Sequence, residues 1–552
     1  MLTDQSGLSP FERLLTLFTR VRPGEGRSAF LFFAHGFLML FSYQVVKALR
    51  EAFMLVKFTA EVRSYAVAVI ALVLMVLVPI YSQVRRRLDG ERLLQAVTVF
   101  FALNQLAFAA AAAAGLPIAF SFFVWVSIFG VVVIAQLWAF AADSFNLKSG
   151  QRLFPVIMVG ANLGALAGAK TAQVAVGLLS PVGLMVAATC TLLATLALAV
   201  PERRAVPEGS RPLVVAHAPA PPSLMGGIGL VMRDRYLLLI AVLVVLLNWI
   251  NSTGEFILAD FVQRDAVERV EASGGVLDRG VLITAFYGNF HYWVTLVGLA
   301  IQLLLVARIY RHVGVRGALL IHPAIVAIGY GLMTLAPLLG GFVPIFTLIR
   351  LVKIAENATD YSLNNTTRHA LFLPVDRDAK YEGKTAIDSF FWRFGDLVQA
   401  GVVFAGLNWL GWGVPQFALL NFVLALAWIA LAVAIGREFS RKAAENVINV
   451  APEAGAPIPD LRYVPGQPLE HHVPAEAFRD ADPGDVLHLA ARLADGRPLP
   501  AWLRFEAKSR RFTGLPPAGM VEELTVTVVA SDVDGLEASS SFRLRAVTTR
   551  SG

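Results

Sequence analysis

The sequence predicts a mainly α membrane protein, in which twelve transmembrane helices form two halves of six and a small C-terminal β-sandwich follows. Of the 552 residues, 56% are hydrophobic and only 16% are charged, whereas about a quarter of the residues in soluble domains are charged. Apolar runs of about 20 residues, the length that spans a bilayer, recur as far as residue 436. Beyond residue 460 the apolar segments are short and alternate with polar residues, a pattern typical of strands.

Twelve apolar runs account for the bundle. The predicted spans are 29–49, 64–83, 94–114, 118–142, 153–176, 179–200, 236–258, 284–307, 318–338, 341–362, 385–407 and 414–436. Basic residues cluster in the loops on one side of these spans, as in 85–87 after the second and 437–442 after the twelfth. Since such loops stay in the cytoplasm, we expect a multi-pass protein of the bacterial inner membrane with both termini cytoplasmic.

Linkers rich in Pro and Ala separate the predicted domains. One linker divides the spans six plus six, and a second precedes the β-region, where turn signals such as Asp495-Gly496 separate short alternating segments. The predicted organisation is a cytoplasmic segment (1–28), a first transmembrane half (29–200), a cytoplasmic linker (201–235), a second half (236–445), a linker (446–459) and a β-sandwich (460–552).

Composition excludes several classes of function. The net charge of +7 comes from the basic loops that set membrane topology, so no nucleic-acid partner is predicted. The single cysteine, Cys190, excludes an intrachain disulfide and a cysteine-based metal site. No catalytic constellation is legible, so the sequence predicts neither an enzyme nor a required cofactor.

Polar residues within the spans define the candidate substrate site, because a charge in a membrane span costs about 2.5–3.5 kcal/mol and usually faces a partner or a wet cavity. In spans one and seven, polar residues line one face of the helix. These two polar stripes occupy equivalent positions in the two halves, as expected of repeated transporter halves with a site between them. Another stripe follows one face of span ten. The predicted substrate-binding residues are Lys47, Arg50, Glu51, Asn251, Glu255, Arg350, Lys353, Asn357, Asp360, Arg393 and Asp396.

Two interpretations of these residues remain open. In the first, the cations bind an anionic substrate, and the carboxylates act as gates or counter-charges. In the second, they form ion pairs between helices or lie at helix ends, where long side chains reach the interface. Arg50 and Glu51 lie at the end of a span and favour the second interpretation individually.

Two further patterns concern packing. Gly160, Gly164 and Gly168 recur every fourth residue, a spacing that lets two membrane helices approach backbone to backbone. No strand precedes them, so a phosphate-binding loop is disfavoured. Trp138 and Trp392 lie near the charged stripes, where they serve either as core anchors or as platforms on which a base stacks.

Three blocks carry a family resemblance. They are Tyr43-Gln-Val-Val-Lys47-Ala-Leu-Arg50-Glu51, Leu137-Trp138-Ala-Phe-Ala-Ala-Asp143, and the run from Asp360-Tyr-Ser-Leu363 through Gly383-Lys384-Thr-Ala-Ile-Asp388 to Arg393-Phe-Gly395. Over roughly residues 25–445 the chain resembles the ATP/ADP translocase (nucleotide transporter) family. The resemblance implies twelve helices of the major facilitator type, exchange of ATP for ADP or transport of related nucleotides, and a substrate-binding role for Lys47.

The chain departs from that family's pattern at two places. An apolar stretch, 125–129, occupies the region in which characterised exchangers carry a glutamate before Trp138, and Asp360 stands where the family has a lysine before Tyr361. These departures keep transport of another organic anion open as an alternative.

The tail resembles a cadherin-like (dystroglycan-type) Ig module, on blocks such as Leu499-Pro-Ala-Trp502-Leu-Arg-Phe505 and Phe512-Thr-Gly514-Leu-Pro516. The resemblance implies possible calcium ligands, because carboxylate oxygens suit this ion. They are Asp480, Asp482, Asp485, Asp532 and Asp534. Since Asp is also an ordinary turn residue, a purely structural role stays open.

The sequence as a whole predicts a secondary transporter that moves nucleotides, or a related phosphorylated anion, by alternating access. Its expected partners are the lipid bilayer and a small anionic substrate. The second alternative is a membrane-anchored interaction protein that acts through its β-sandwich on an unknown protein partner.

Overall fold

The computed structural model describes residues 12, 22, 24–87, 90–207, 224–336, 344–376, 382–446, 451–480, 486–532 and 535–547. Contacts divide the chain into two compact units, Met1–Ser440 and Arg441–Gly552. Among the described residues, the first is helical and the second contains the strands, which confirms the predicted mainly α class with a C-terminal β-region.

Within the described ranges, seven helices form the first half of the helical unit. They are α1 (Gly26–Lys57), α2 (Ala60–Arg87), α3 (Gly90–Ala113), α4 (Ala119–Ser144), α5 (Leu147–Ala175), α6 (Pro181–Ala194) and α7 (Leu196–Ala205). Long apolar sequences explain the helices, and local caps help to define their ends. For example, the Asn146 side chain accepts a hydrogen bond from the Ser149 amide at the start of α5, as an N-cap residue does.

In the part of the second half that the structure describes, there are nine helices and three π-helical turns. The helices are α8 (Leu224–Arg233), α9 (Arg235–Ala272), α10 (Arg279–Ala300), α11 (Val306–Leu335), α12 (Ile345–Thr359), α13 (Asn365–Ala370), α14 (Lys384–Ala386), α15 (Trp392–Asn408) and α16 (Val414–Asn446). The π-turns are Ile301–Leu305, Asp360–Asn364 and Ile387–Phe391. Such turns insert an extra residue into a helix and recur at functional sites.

Nine helical stretches in the described ranges are long and apolar enough to cross a membrane. One of them, Arg279–Leu335, contains 57 residues, far more than one crossing needs, and it kinks at Gly314, whose φ of +63° suits glycine alone. Two further regions, 345–370 and 384–408, are interrupted by π-turns and carry the buried charges. The structure is compatible with twelve crossings, and that count stays a prediction.

The glycine series packs α5 against α1, as predicted. A Cβ at Gly160, Gly164 or Gly168 would overlap with the backbone carbonyl oxygens of Phe33, Phe37 and Phe41 in turn. The two halves also meet closely, since a Cβ at Gly288 on α10 would approach α5 at the Gln173 amide nitrogen within 2.6 Å. Backbone contact therefore holds these helices together.

The C-terminal unit is built from short strands. They are β1 (Glu453–Ala454), β2 (Leu461–Tyr463), β3 (Leu469–His472), β4 (Phe478–Arg479), β5 (His488–Leu493), β6 (Leu503–Glu506), β7 (Arg511–Gly514), β8 (Leu524–Ser531) and β9 (Glu537–Ala546). The sheets have the orders β2-β9-β8-β5, β3-β7-β6 and β1-β4. Phe512, Val526 and Phe542 are buried between them, because alternate residues of each strand face the same side.

Candidate functional site

A cavity of about 250 Å³ lies within the helical unit, between its two halves. The first half contributes residues from α1 and α2. They are Tyr43, Lys47, Arg50, Glu51, Arg63, Ser64 and Val67. The second half contributes residues from the helices α9, α10, α12 and α15 and from the π-turn that follows α12. They are Asn251, Ser252, Glu255, His291, Asn357, Tyr361 and Gln399.

Helix α1 presents three predicted site residues to the cavity. Lys47, Arg50 and Glu51 lie at positions i, i+3 and i+4, so they share one helix face. The Arg50 guanidinium donates to Ser127 Oγ at 2.7 Å and lies 3.2 Å from Glu51 Oε1. Lys47 Nζ lies 6.0 Å from the centre of the Tyr43 ring, and among the residues that the structure describes no carboxylate lies within 4 Å of it.

Arg63 on α2 joins the two halves at the cavity wall. Its Nε lies 2.7 Å from Glu51 Oε2, and its Nη2 lies 3.6 Å from Glu255 Oε2 on α9. Both carboxylates therefore share one buried guanidinium. Arg63 was not among the predicted site residues because the predicted second span begins at residue 64, whereas α2 begins at Ala60.

The second half encloses its charges in an internal network. Lys353 is fully buried, and its Nζ lies 3.0 Å from Glu356 Oε2 and 3.6 Å from Glu255 Oε1. Lys353 also donates to Asn251 Oδ1 at 2.9 Å, and the Tyr330 hydroxyl donates to Glu356 Oε2 at 3.0 Å. This predicted substrate lysine does not line the cavity, because protein carboxylates and amides already surround it.

Four other predicted site residues also lie outside the cavity lining. Arg350 donates to Asn289 Oδ1 and lies over the Phe286 ring, 5.9 Å from its centre. Asp360 accepts a hydrogen bond from Asn364 Nδ2 at 2.7 Å within its own π-turn.

The remaining two predicted residues outside the cavity lining, Arg393 and Asp396, form a local ion pair. Arg393 Nη1 lies 3.6 Å from Asp396 Oδ2, and Asp396 Oδ1 accepts from the Ser252 hydroxyl at 2.8 Å. Of the stripe predicted on span ten, only Asn357 reaches the cavity, where its Nδ2 donates to Glu255 Oε1 at 3.0 Å. The other residues of this stripe, Arg350, Lys353 and Asp360, bind protein groups on neighbouring turns and helices.

Uncharged residues complete the site. His291 is 8% exposed and lines the cavity, and its Nε2 has no hydrogen-bond partner in the described part of the chain. Tyr361, by contrast, is 58% exposed. Sequence reasoning missed both, because aromatic and histidine side chains in an apolar run are usually core residues.

Both tryptophans considered for base stacking lie outside the cavity lining. The Arg368 guanidinium already covers the Trp392 ring at 4.6 Å, and Trp138 packs edge-on against Phe154. Their contacts are those of residues that anchor helices.

Hydrogen bonds join the two halves at the turn between α1 and α2. Gln263 Nε2 donates to the carbonyl oxygens of Leu55 and Phe58 at 2.9 and 3.0 Å. Arg279 Nη2 donates to the Leu55 carbonyl at 2.9 Å, and Asn408 Nδ2 donates to Glu61 Oε1 at 2.7 Å. These bonds close the space between the halves at this end of the bundle.

The calcium hypothesis for the C-terminal unit stays a prediction. Asp482, Asp485 and Asp534 lie outside the described residues. Asp532 is buried, and its Oδ1 accepts a hydrogen bond from the Leu536 amide at 2.8 Å, as in an ordinary turn. Within the described ranges, which include Asp480, no group of three or more His, Cys, Asp or Glu residues is suited to hold a metal ion.

Two family models match the chain. The TLC ATP/ADP transporter model matches residues 118–439, and the Putative Ig domain model matches residues 451–547. The ADP,ATP carrier protein 1 of Chlamydia pneumoniae is 27% identical over 190 residues, which are 31% of this chain and 36% of that protein. The corresponding carrier of Chlamydia trachomatis is 25% identical over 28% of this chain and 33% of that protein. The chain thus matches about a third of the length of these curated relatives.

Solved transporters share the fold of the helical unit. The POT family transporter PepTSo has a TM-score of 0.51 at 12% identity, over 77% of this chain and 99% of that chain. A POT family transporter in complex with 5-aminolevulinic acid has a TM-score of 0.53 at 14% identity, over 75% and 96%. The nucleoside transporter NupG has a TM-score of 0.50 at 13% identity, over 75% and 98%. These likenesses confirm the predicted major facilitator type of fold.

Proposed function

Because the chain belongs to the TLC ATP/ADP transporter family, we propose that it is a secondary transporter that moves nucleotides or a related phosphorylated anion across the membrane by alternating access. ATP:ADP antiport is the form of this activity for which the family is named. The observation that carries the proposal is a polar cavity between the two halves, the position in which transporters of repeated architecture bind their substrates.

Lys47 supplies the substrate-binding cation in this proposal. Its ammonium group lines the cavity and has no carboxylate within salt-bridge distance among the described residues. Arg50 and Arg63, by contrast, already bind Glu51. An anion that enters the cavity therefore gains most from Lys47, because an unpaired cation pays no penalty for breaking an existing pair.

Arg63 supplies the coupling between substrate and conformation. Its contacts with Glu51 and Glu255 hold α2 against α9 across the cavity. Alternating access requires the halves to separate at the closed end, so the contact between Arg63 and Glu255 must break during transport. We propose that the protein works in a bacterial inner membrane with both termini in the cytoplasm, since its basic loops fall on one side.

The test is uptake of radiolabelled nucleotides into proteoliposomes preloaded with unlabelled nucleotide. AMP, ADP and ATP are each offered to wild type, to Lys47→Gln and to the control Arg264→Gln, which neutralises an exposed arginine paired with Asp260. The proposal expects uptake of at least one nucleotide that depends on internal nucleotide and is lost only in Lys47→Gln. Absence of all nucleotide uptake by folded protein would contradict it.

Transport of another organic anion is the second candidate. Trp125 and Phe129 stack at 5.4 Å within the buried aromatic cluster of the first half, so no glutamate is available there. If no nucleotide is taken up, uptake of a radiolabelled non-nucleotide organic anion that is lost in Lys47→Gln identifies this candidate.

A further inference from the structure

The charges around the cavity nearly cancel. Among the described lining residues there are three cations and two carboxylates. Arg50 and Arg63 both contact Glu51, and Arg63 also contacts Glu255. One positive charge is left over, and Lys47 is the lining cation that lies apart from these pairs.

The next layer of charge does not change this balance. Lys353 and Glu356 form a buried pair at 3.0 Å, and Arg393 and Asp396 form another at 3.6 Å. Each pair contributes no net charge to the cavity. Arg350 and Asp360 have opposite signs, and each is held by an asparagine side chain.

The cavity also offers an uncharged polar contact. The His291 Nε2 atom, buried and without a partner among the described residues, offers one uncharged polar contact. The cavity thus combines one available cation and one available imidazole nitrogen.

We propose that this cavity selects an organic anion with one or two negative charges, such as a carboxylate, a phosphodiester or a phosphomonoester, and discriminates against di- and triphosphates. This inference rests on the proposed function, of which it specifies the substrate class. Each negative charge of the anion beyond the first has no free cation to bind. It must still be desolvated in a partly buried site. A polyphosphate that took Arg63 from Glu51 would leave that buried carboxylate with Arg50 as its remaining cation and would weaken the Arg63 contact with Glu255, at a further cost.

The test is a charge series on full-length protein in lipid nanodiscs, with EDTA to remove divalent cations and constant ionic strength. The probes are adenosine, cyclic AMP, AMP, ADP and ATP, which share one base and differ in charge. The inference expects the affinity to peak at cyclic AMP or AMP and to fall by at least about tenfold, or 1.4 kcal/mol, at ATP. Binding of ATP at least as tight as that of AMP would overturn it and leave the nucleotide proposal standing.

A second series, glycerol 3-phosphate against pyrophosphate, separates the two claims if no adenine compound binds. Preference for glycerol 3-phosphate would support the charge selection while the nucleotide proposal fails. Equal or tighter binding of pyrophosphate, or no binding of either anion, would overturn the inference.

Charge variants test the cause of the selection. Glu51→Gln adds one positive charge to the cavity and is expected to shift the affinity ratio of AMP to ATP toward ATP by about tenfold. Glu255→Gln makes the same change at a less buried carboxylate and serves if Glu51→Gln does not fold. The matched control is Asp265→Asn, which removes a partly exposed carboxylate paired with Arg269 and leaves the ratio unchanged. An unchanged ratio in a folded cavity variant would contradict the charge argument.

Discussion

The two halves of the bundle use similar polar stripes for different purposes. In the first half, glycines bring α5 against the backbone of α1, and Lys47 remains without a carboxylate partner among the described residues. In the second half, Lys353 lies between Glu356 and Glu255 and donates to Asn251. The first half also contains buried ion pairs, such as that of His35 with Glu202, but Lys47 takes no part in one among the described residues, whereas Lys353 is enclosed by its carboxylate partners.

This difference shows why an intramembrane charge is not by itself a substrate ligand. Lys47 and Lys353 both lie on polar stripes and both fit the pattern of a substrate lysine. Burial and partners separate them, because a fully buried lysine with two carboxylate neighbours stabilises the fold, and a lysine at a cavity wall is available to bind. The comparison predicts opposite phenotypes for substitutions in the two halves.

The largest expected effect is loss of stability in Lys353→Met. This change leaves Glu356 buried without its cation and weakens the pairing of Glu255, a defect that costs about 3–5 kcal/mol when a buried pair is broken. Thermal unfolding in detergent measures it. The control is Lys384→Met, whose ion pair with Asp388 is half-exposed and is worth less than about 1 kcal/mol. Equal melting temperatures for the two variants would refute the structural role of Lys353.

A smaller loss of stability is expected for Gly164→Ala. The added Cβ would overlap with the Phe37 carbonyl and force α1 and α5 apart, at about 1–3 kcal/mol. Gly177→Ala is the control, since nothing lies within 4 Å of a Cβ there. The same thermal unfolding experiment applies. If Gly164→Ala were as stable as Gly177→Ala, close packing of α1 on α5 would not be needed for the stability of the fold.

A third effect concerns the closed end of the cavity. Gln263→Ala removes two hydrogen bonds to the turn between α1 and α2, each worth about 1 kcal/mol, so the closed state becomes less populated. Distance measurements between spin labels on the two halves are expected to show a larger open fraction. Asn162→Ala, which removes a hydrogen bond within α5, is not expected to change the distribution. Identical distributions in wild type and Gln263→Ala would contradict a gating role for this contact.

The smallest effect is expected from deletion of residues 452–552, which belong to the second compact unit, Arg441–Gly552. Transport by the helical unit is expected to be unchanged, because the cavity is lined by its helices alone. Uptake into proteoliposomes by the truncated and full chains measures this. Loss of uptake by a truncated protein that still folds would favour the interaction-protein alternative.

Local patterns in the sequence were sufficient for most of the fold. Apolar run length predicted the helices, and the spacing of Gly160, Gly164 and Gly168 predicted the packing of α5. The candidate site was less accessible, because pairing depends on tertiary contacts such as that between Arg63 and Glu255, which lie far apart in the chain. His291 gave no signal, because only the fold distinguishes a histidine at a cavity wall from one in the core.

The most direct measurement compares Lys47→Gln with Lys353→Met for both melting temperature and affinity for AMP. We expect Lys47→Gln to keep the wild-type melting temperature and to lose at least about tenfold in affinity, as a lost charge contact of about 1.4 kcal/mol would cause. We expect Lys353→Met to melt at a lower temperature, and its folded fraction to bind AMP with an affinity closer to that of wild type. The opposite result, with binding lost only in folded Lys353→Met and stability lost only in Lys47→Gln, would contradict the division between the halves.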